Sequence, residues 1–409
     1  MDETYERVLR EIKKPNRDHA RRLLQCLVVA IRPLRVDELA EVLAVDFEDG
    51  SDIPKLKPSW RWEDQEQALL TSCSSLITIV DTSGSRVVQF SHFSVKEFLT
   101  SARLATPSQD VSHYHVVLNP AHTIMAQSCL SILLQQDNFI KDKSAEKRSP
   151  LAGYAAEYWV RHAQFEDVAS RIKGMEYLFD ADKPYFSTWR QLYDIDSNPT
   201  DSVFFQFTES KSSANTPLYY AAMCGFKNLV EQLIVKHPGH VNAIGGYYKT
   251  PAVAALAGRH FELAQVLHYK GSSVDPRGSL MKSPLHAATH AGDLEMVQVL
   301  LGYGSDVNGQ DRLGSTPLNF ALEYRSNRID PRVVRLMLDR GADPNILASA
   351  SPIPLHQASR SGRIEIVRLL VEHGASIEVT DFRGRTAMDV ASGEQRDEII
   401  KLLLEHRVK

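Results

Sequence analysis

The chain has 409 residues, of which 43% are hydrophobic and 24% charged, and its formal net charge is −4. This balance is typical of a globular protein of two or three domains, and the small net charge does not favour nucleic acid or a membrane as partner. The four cysteines form no CxxC pair, so no zinc-ribbon or thioredoxin-like motif is present. The N-terminus is charged where a signal peptide needs an apolar run, and no apolar stretch reaches about 18 residues. We therefore expect a cytoplasmic protein, with the nucleus as the other compartment left open.

Residues 1–105 have the pattern of a winged-helix domain with a leading helix. Apolar residues at helical spacing predict a first helix that ends at Pro15, a second that ends before Pro33, and a third shortly after it. Two runs rich in β-branched residues, 76–80 and 87–92, predict a β-hairpin with a six-residue turn. A closing helix follows, with Ser94 as its expected N-cap.

Residues 106–210 are predicted to form a helical connector. Apolar residues recur at helical spacing in 121–134 and again in 151–163. The charged, apolar-poor stretch 141–149 is interpreted as a linker between them. Six aromatic residues accumulate between 175 and 196, and we expect them to pack within a helical structure rather than to form a ligand cage.

Residues 211–409 contain an internal repeat. Tripeptides that are identical or related to Thr-Pro-Leu begin at intervals of mostly 33 or 34 residues, at Thr216, Thr250, Ser283, Thr316, Ile353 and Thr386. Blocks related to Gly-Ala-Asp-Val-Asn begin at Gly271, Gly304, Gly341 and Gly374. The period and both signatures resemble those of ankyrin repeats. We therefore predict about six repeats in a mostly α-helical protein, stacked as a solenoid.

The residues of the repeat explain why it folds as paired helices. Threonine can cap the first helix, and the following proline suits its first turn. Each pair alone exposes an apolar face that stacking buries. We expect His286 and His356, which belong to the signature, to make structural hydrogen bonds. One interval of 37 residues indicates an insertion near 325–328, and the polar last repeat is typical of a terminal cap.

Four segments resemble fungal NACHT–ankyrin proteins, which are signal-transduction ATPases of the NLR-like class. DETYER (2–7), RPLRVDEL (32–39) and SHFSVKEFL (91–99) resemble their winged-helix segment, and YAAEYWVRHA (154–163) resembles their helical connector. In that family an upstream domain alternates between ADP and ATP, and this chain is expected to begin just after it. The resemblance implies that His92 would reach the β-phosphate of ADP only with a separate nucleotide domain; otherwise we expect a local hydrogen bond.

The function expected from these features is that of a non-enzymatic adaptor without cofactors, binding a protein partner through the concave ankyrin surface. Exposed fingertip and inner-helix positions are the predicted partner-binding residues: Tyr247, Tyr248, Met281, Lys282, His290, Leu313, Glu323, Tyr324, Arg360, Phe382 and Arg383. The alternative, implied by the resemblance, is a regulatory fragment of an NLR-type nucleotide switch in fungal self/non-self recognition signalling. Its partner would be a nucleotide-binding NACHT domain.

Motifs for catalysis and for nucleic-acid binding are missing. GGYYKT (245–250) lacks the glycine before lysine of a phosphate loop and is interpreted as a β-turn finger of the repeats. No G-x-S-x-G or H-E-x-x-H motif occurs, although related winged-helix segments carry the name of a lipid-anchor deacylase. The H-x-H of 113–115 stands alone and predicts no metal site. DNA binding by the winged helix is disfavoured, because Glu63, Asp64 and Glu66 would repel phosphate groups.

Overall fold

The computed structural model describes residues 2–47, 53–73, 75–82, 84–106, 111–135, 149–196, 216–246, 248–274, 283–322, 330–347 and 353–407. The chain divides into two compact units, Met1–Ile195 and Asp196–Lys409, called here the N-terminal and the C-terminal unit. Among the described residues, no helix combines the length and the apolar character needed to cross a membrane.

The N-terminal unit begins with a winged-helix arrangement. Its helices are α1 (Asp2–Glu11), α2 (Arg17–Val29), α3 (Val36–Leu43), α4 (Gln65–Cys73) and α5 (Phe93–Thr100). Its strands are β1 (Leu34–Arg35), β2 (Val45–Asp46), β3 (Lys55–Leu56), β4 (Ile77–Thr82) and β5 (Ser85–Phe90). The apolar faces of α2 and α3 are buried, as their helical periodicity predicts.

The antiparallel sheet has the strand order β1-β5-β4, and β2 pairs separately with β3. In the hairpin, Asp81 pairs with Arg86 and Thr82 with Ser85. The prediction of a six-residue turn is therefore wrong, because both strands continue until only two residues remain between them. A two-residue turn needs positive φ angles, and Gly84 has a φ of +93°.

The N-cap of α5 is also corrected by the structure. His92, not Ser94, has the extended backbone of the cap residue, and its Nδ1 accepts a hydrogen bond from the Ser94 backbone N–H at 3.2 Å. The Ser94 hydroxyl lies between the His92 ring (Nδ1–Oγ 2.6 Å) and the Tyr5 hydroxyl (2.8 Å) of α1. These contacts link the first and last helices of the winged-helix arrangement.

Helices α6 (Leu118–Leu134), α7 (Ala152–Ala163), α8 (Val168–Arg171), α9 (Met175–Leu178) and α10 (Tyr185–Leu192) complete the N-terminal unit. Four aromatic side chains form a buried cluster in this part of the unit: Trp159, Phe179, Phe186 and Trp189. The Trp159 and Trp189 ring centroids lie 5.4 Å apart at a steep angle, and the Trp189 indole N–H donates to the Ala156 carbonyl at 2.9 Å. The predicted linker 141–149 lies outside the described residues except for Ser149.

Two buried glutamates of α3 hold neighbouring segments in place. Glu38 accepts both guanidinium hydrogen bonds of Arg32, at 2.7 and 2.8 Å. Glu41 pairs with Arg61 and accepts hydrogen bonds from the Ser149 hydroxyl and, at 3.1 Å, from the Leu151 backbone N–H. A buried carboxylate needs this number of donors to offset its lost hydration.

A buried histidine joins α6 and α7. The Tyr154 hydroxyl lies 2.8 Å from His162 Nε2, and its oxygen accepts from the Ile31 backbone N–H at 3.2 Å. On the other side of the ring, His162 Nδ1 is hydrogen-bonded to Nδ1 of His122, 2.9 Å away. Burial and the neighbouring His122 lower the pKa of His162 to about 3, so the ring is neutral near pH 7.

Acidification is therefore expected to destabilise the N-terminal unit. His162 has an ordinary pKa of about 6.5 when unfolded, so below that pH the unfolded chain binds one more proton than the folded chain. The free energy of unfolding therefore falls by about 1.4 kcal/mol for each pH unit between 6.5 and the folded-state pKa. Urea unfolding at pH 7.5 and 5.5 measures this fall, and His162→Gln should make the free energies of unfolding at the two pH values more similar. Equal pH dependence in both proteins would contradict this role for His162.

The C-terminal unit consists of paired helices. The inner helices are α11 (Pro217–Met223), α13 (Pro251–Ala257), α15 (Pro284–Ala291), α17 (Pro317–Ala321) and α19 (Pro354–Arg360). The outer helices are α12 (Lys227–Lys236), α14 (Phe261–Tyr269), α16 (Leu294–Gly302), α18 (Pro331–Asp339), α20 (Ile364–Glu372) and α21 (Arg396–Arg407). α11 contacts α13, α15 contacts α17, and α16, α18, α20 and α21 contact one another in that order. The predicted mostly helical fold, a winged helix followed by stacked ankyrin repeats, is confirmed.

The last repeat differs from the other five. A turn over 387–390 replaces its inner helix. Ala387 stands where the other repeats have proline, and Asp389 Oδ2 accepts from both the backbone N–H and the hydroxyl of Thr386 at 2.8 Å. The insertion predicted near 325–328 lies outside the described residues. The proposed division at residues 105 and 210 remains a prediction.

Candidate interaction surface

The first turn of each inner helix is fixed by its own signature residues. The hydroxyl oxygens of Thr216, Thr250 and Thr316 each accept the backbone N–H three residues further on, at 3.3–3.4 Å. The proline that follows each threonine occupies the first helical position, where no N–H is needed. The capping role predicted for these threonines is thus present in three repeats.

Each of the two signature histidines connects its own inner helix to the segment that precedes the next repeat. His286 Nδ1 accepts the Ser283 backbone N–H at 3.0 Å, and its Nε2 donates to the Ser315 carbonyl at 2.9 Å. His356 donates from Nε2 to the Arg385 carbonyl at 2.8 Å. Both rings are buried. The structural role predicted for His286 and His356 is present in these contacts.

Each segment that leads from an outer helix to the next inner helix is called here a finger; the described fingers are 242–246 with 248–249, 308–315, 345–347 and 378–385. Asparagines at the start of the finger join one repeat to the segment that follows the next outer helix. Asn308 donates to the Gly341 carbonyl at 3.0 Å and accepts from the Asp343 N–H at 2.8 Å. Asn345 makes the same two bonds to Gly374 and Ser376, at 2.9 and 2.8 Å. Sequence reasoning missed this bridge, although its signal was the recurrence of asparagine at Asn242, Asn308 and Asn345.

The fingertips are tight turns closed by backbone hydrogen bonds. The N–H of Asp381 donates to the Arg385 carbonyl at 2.8 Å, and the equivalent bonds from Asp311 to Ser315 and from Gly245 to Lys249 are 3.0 and 2.8 Å long. The 245–250 segment therefore is a turn of the repeats, as predicted. Hydrogen bonds from the Arg385 backbone, the Arg385 guanidinium and the Arg383 backbone lower the pKa of Asp381 to about 2, so this carboxylate is ionised near pH 7.

Every described finger exposes a large apolar side chain. The exposed fractions are 64% for Ile244, 55% for Leu313, 63% for Leu347 and 91% for Phe382. The sequence prediction included Leu313 and Phe382 but missed Ile244 and Leu347. Both missed residues lie six positions before the residue that precedes the helical proline. The other two described fingers have Gln310 and Thr380 at this position, so the repeat alignment alone does not mark it as apolar.

The structure sorts the other predicted partner-binding residues into three groups. Arg360 and Arg383 are exposed and His290 is half-buried. Tyr247, Met281, Lys282, Glu323 and Tyr324 lie outside the described residues. Tyr248 is only 7% exposed, so its prediction as an exposed fingertip anchor is wrong. Its backbone N–H donates at 3.0 Å to the Tyr219 hydroxyl, which in turn donates to the buried Asp196 at 2.6 Å, and this network holds Tyr248 against the repeat.

His92, the residue considered for nucleotide sensing, is exposed at the N-terminus of α5. Its Nδ1 makes the local hydrogen bond described above, which agrees with the structural alternative. No group of three or more His, Cys, Asp or Glu side chains in the described ranges is arranged to hold a metal ion. All four cysteines are buried, and burial raises the thiol pKa of Cys26 and Cys73 to about 12, which makes them poor nucleophiles.

Family profiles match most of the chain in separate segments. The ankyrin-repeat profile in three copies matches residues 252–348 and 326–409, and the single ankyrin-repeat profile matches 214–245. The profile described as GPI inositol-deacylase, winged helix domain, matches residues 5–108. The ankyrin repeat domain of human ASB11 is a structural neighbour with 24% identity and a TM-score of 0.37, covering 47% of this chain and 83% of that one.

One curated relative is the azaphilone pigments biosynthesis cluster protein L of Monascus ruber. It is 31% identical over 289 residues, which are 67% of this chain and 60% of the relative. The chain thus spans about three fifths of the length of this fungal protein. Taken together, the fold and these matches show a winged-helix domain of the GPI inositol-deacylase type followed by ankyrin repeats, which are protein-interaction modules.

Proposed function

We propose that this chain is a non-enzymatic adaptor that binds a partner protein through the fingers and inner helices on the concave side of its repeats. The observation that carries the proposal is the series of exposed apolar side chains, Ile244, Leu313, Leu347 and Phe382, one in each described finger. A single exposed leucine is ordinary on a protein surface, but a repeated set along one edge of a stack is typical of a contact surface.

Hydrogen bonds within the repeats also suit the fingers to binding. Asparagine bridges, histidine bonds and closed turns each hold some of the described finger residues in place before a partner arrives. Binding then costs little ordering entropy, so exposed apolar anchors contribute more of their burial energy to affinity. The winged-helix domain adds a second surface to that of the repeats.

Removing the fingertip anchors is expected to weaken partner binding at least tenfold, or about 1.4 kcal/mol. The test variant is Ile244→Ser, Leu313→Ser, Leu347→Ser and Phe382→Ser together. The matched control is Val235→Ser with Tyr269→Ser, because these two side chains are also exposed and apolar but lie on outer helices. Circular dichroism checks that both variants keep their helices.

The measurement is affinity purification from the native host with quantitative mass spectrometry, followed by titration of the recovered partner. The adaptor is supported if the fingertip variant recovers less partner protein and the control recovers as much as the unchanged chain. If the control recovers less and the fingertip variant does not, binding would lie on the outer helices. The name of the Monascus ruber relative suggests testing the products of genes in the same cluster first. We propose the cytoplasm as the place of this interaction.

A second candidate is a regulatory role beside an NLR-type nucleotide domain. It is supported by the winged-helix match at residues 5–108 and by the exposed His92 at the start of a helix. Reading the native transcript upstream of the Met1 codon tests it, because an in-frame phosphate-loop motif there favours the switch. If the purified partner instead lacks any nucleotide-binding domain, the adaptor is favoured.

A further inference from the structure

An arginine is the sequence neighbour of two of the apolar fingertip residues. Arg312 precedes Leu313 in the third repeat's finger, and Arg383 follows Phe382 in the last one, where its guanidinium carbon lies 5.3 Å from the centre of the Phe382 ring. Arg360, on the last turn of inner helix α19, is a third exposed guanidinium. Within the described part of the C-terminal unit, none of these three arginines takes part in an ion pair.

The carboxylates at the same fingertips are already occupied. Asp311 Oδ1 accepts the backbone N–H groups of Leu313 and Ser315, both at 2.9 Å. Asp381 accepts from the Arg383 and Arg385 backbone and from the Arg385 side chain, whose Nη2 is 2.8 Å away. The tip of the last finger therefore presents the paired carboxylate of Asp381 and the guanidinium of Arg383, and a second carboxylate, that of Glu378, is exposed at the start of this finger.

A partner that covers Leu313 and Phe382 must also cover these arginines. A guanidinium buried without acceptors loses its hydration with nothing to replace it, whereas a carboxylate can accept two parallel hydrogen bonds from it. Leu313 and Phe382 stand two repeats apart. With packed helices about 8–10 Å apart, their fingers are separated by about 16–20 Å, which an extended chain spans in about five or six residues.

We infer that the bound element is an extended acidic segment with two apolar side chains about five or six residues apart, each next to an aspartate or glutamate. The apolar side chains contact Leu313 and Phe382, and the carboxylates pair with Arg312, Arg383 and Arg360. This inference rests on the proposed function and adds the chemistry of the partner to it.

The experiment is selection from a random library of 12-residue peptides displayed on phage, with the full chain as bait. Selected peptides are then synthesised and titrated by fluorescence anisotropy at 50 and 300 mM salt. The variants are Arg312→Gln/Arg360→Gln/Arg383→Gln and Leu313→Ser/Phe382→Ser. The control is Arg335→Gln/Arg340→Gln/Arg368→Gln, which removes the same charge from exposed arginines on or just after the outer helices.

The expected result is a pool rich in aspartate and glutamate beside apolar residues at the stated spacing. In Arg312→Gln/Arg360→Gln/Arg383→Gln, the affinity for these peptides should fall about tenfold or more, and the remaining affinity should depend much less on salt. The affinity of the control variant should change little. The inference is overturned if the selected peptides contain no excess of acidic residues, or if the two arginine variants bind them with equal affinity. In either case the adaptor proposal survives if Leu313→Ser/Phe382→Ser abolishes binding. Binding that persists in that apolar variant overturns both.

Discussion

Replacing Trp159 with alanine is expected to lower the free energy of unfolding of the N-terminal unit by about 3–5 kcal/mol, the usual range for a buried tryptophan. The Trp159 side chain is fully buried and contacts the rings of Trp189 and Phe179, with centroids 5.4 and 6.2 Å away. Removing it leaves a cavity between α7 and α10 that the remaining rings cannot fill without leaving their own contacts. A decrease of this size is a large part of the free energy of unfolding of a typical domain.

Hydrogen exchange followed by mass spectrometry is the suitable measurement, because it reports each unit of the full chain separately. Peptides from 149–196 should exchange far faster in Trp159→Ala, while peptides from the repeats should keep their protection. Trp60→Ala is the matched control, since Trp60 is half exposed and its removal should cost less than about 1 kcal/mol. Similar effects of the two substitutions would contradict the aromatic cluster as the centre of this unit.

His286→Ala is expected to destabilise the repeats by about 2–4 kcal/mol. The substitution leaves the Ser283 N–H without its partner, and a buried group left unpaired costs about 1–3 kcal/mol. It also removes one of the two hydrogen bonds that the Ser315 carbonyl accepts, the other coming from the Asp311 N–H. It also removes the contact of the imidazole with the edge of the Phe320 ring, 5.2 Å between centroids. Because the lost bonds join one repeat to the next finger, the effect should extend beyond the third repeat.

The variant His286→Asn separates the two hydrogen bonds. In the fourth repeat Asn319 occupies the equivalent position, and its Oδ1 accepts the Thr316 N–H at 2.9 Å. Asparagine at 286 should therefore keep the bond to Ser283, lose the longer reach to Ser315, and recover roughly half of the stability lost in alanine. Urea unfolding monitored by circular dichroism measures both variants. If asparagine and alanine were equally destabilising, the bond to Ser283 would contribute nothing.

Tyr248 shows how far a sequence pattern carries and where it fails. The pattern identified GGYYKT as a finger, and the bond from Gly245 to Lys249 agrees with it. It gave no means of telling that Tyr248 is buried. Tyr248 is buried because Tyr219 donates to Asp196, a residue 23 positions earlier in the chain, and also receives the Tyr248 N–H. A contact between residues so far apart has no local signature.

At the fingertips, the sequence pattern also failed to identify two exposed residues. Leu313 and Phe382 were predicted because they lie near the centre of recognisable turns, whereas Ile244 and Leu347 lie nearer the preceding outer helix and were missed. Their exposure depends on the backbone path of each finger, which the asparagine bridges between repeats help to fix. The same applies to the hairpin, where cross-strand pairing of Asp81 with Arg86 extends strands that local composition ended early.

The sequence by itself determined the repeat period, the position of each inner helix and the winged-helix order of elements. These follow from short-range physics: a capping threonine, a proline in the first turn and apolar residues at helical spacing all act within one or two turns of chain. Only the tertiary structure decided which side chains are exposed, which carboxylates are already paired and which fingers are joined. Those outcomes depend on donors and acceptors that come from other repeats or distant segments, about 30 residues away for His286 and more than 100 for Glu41.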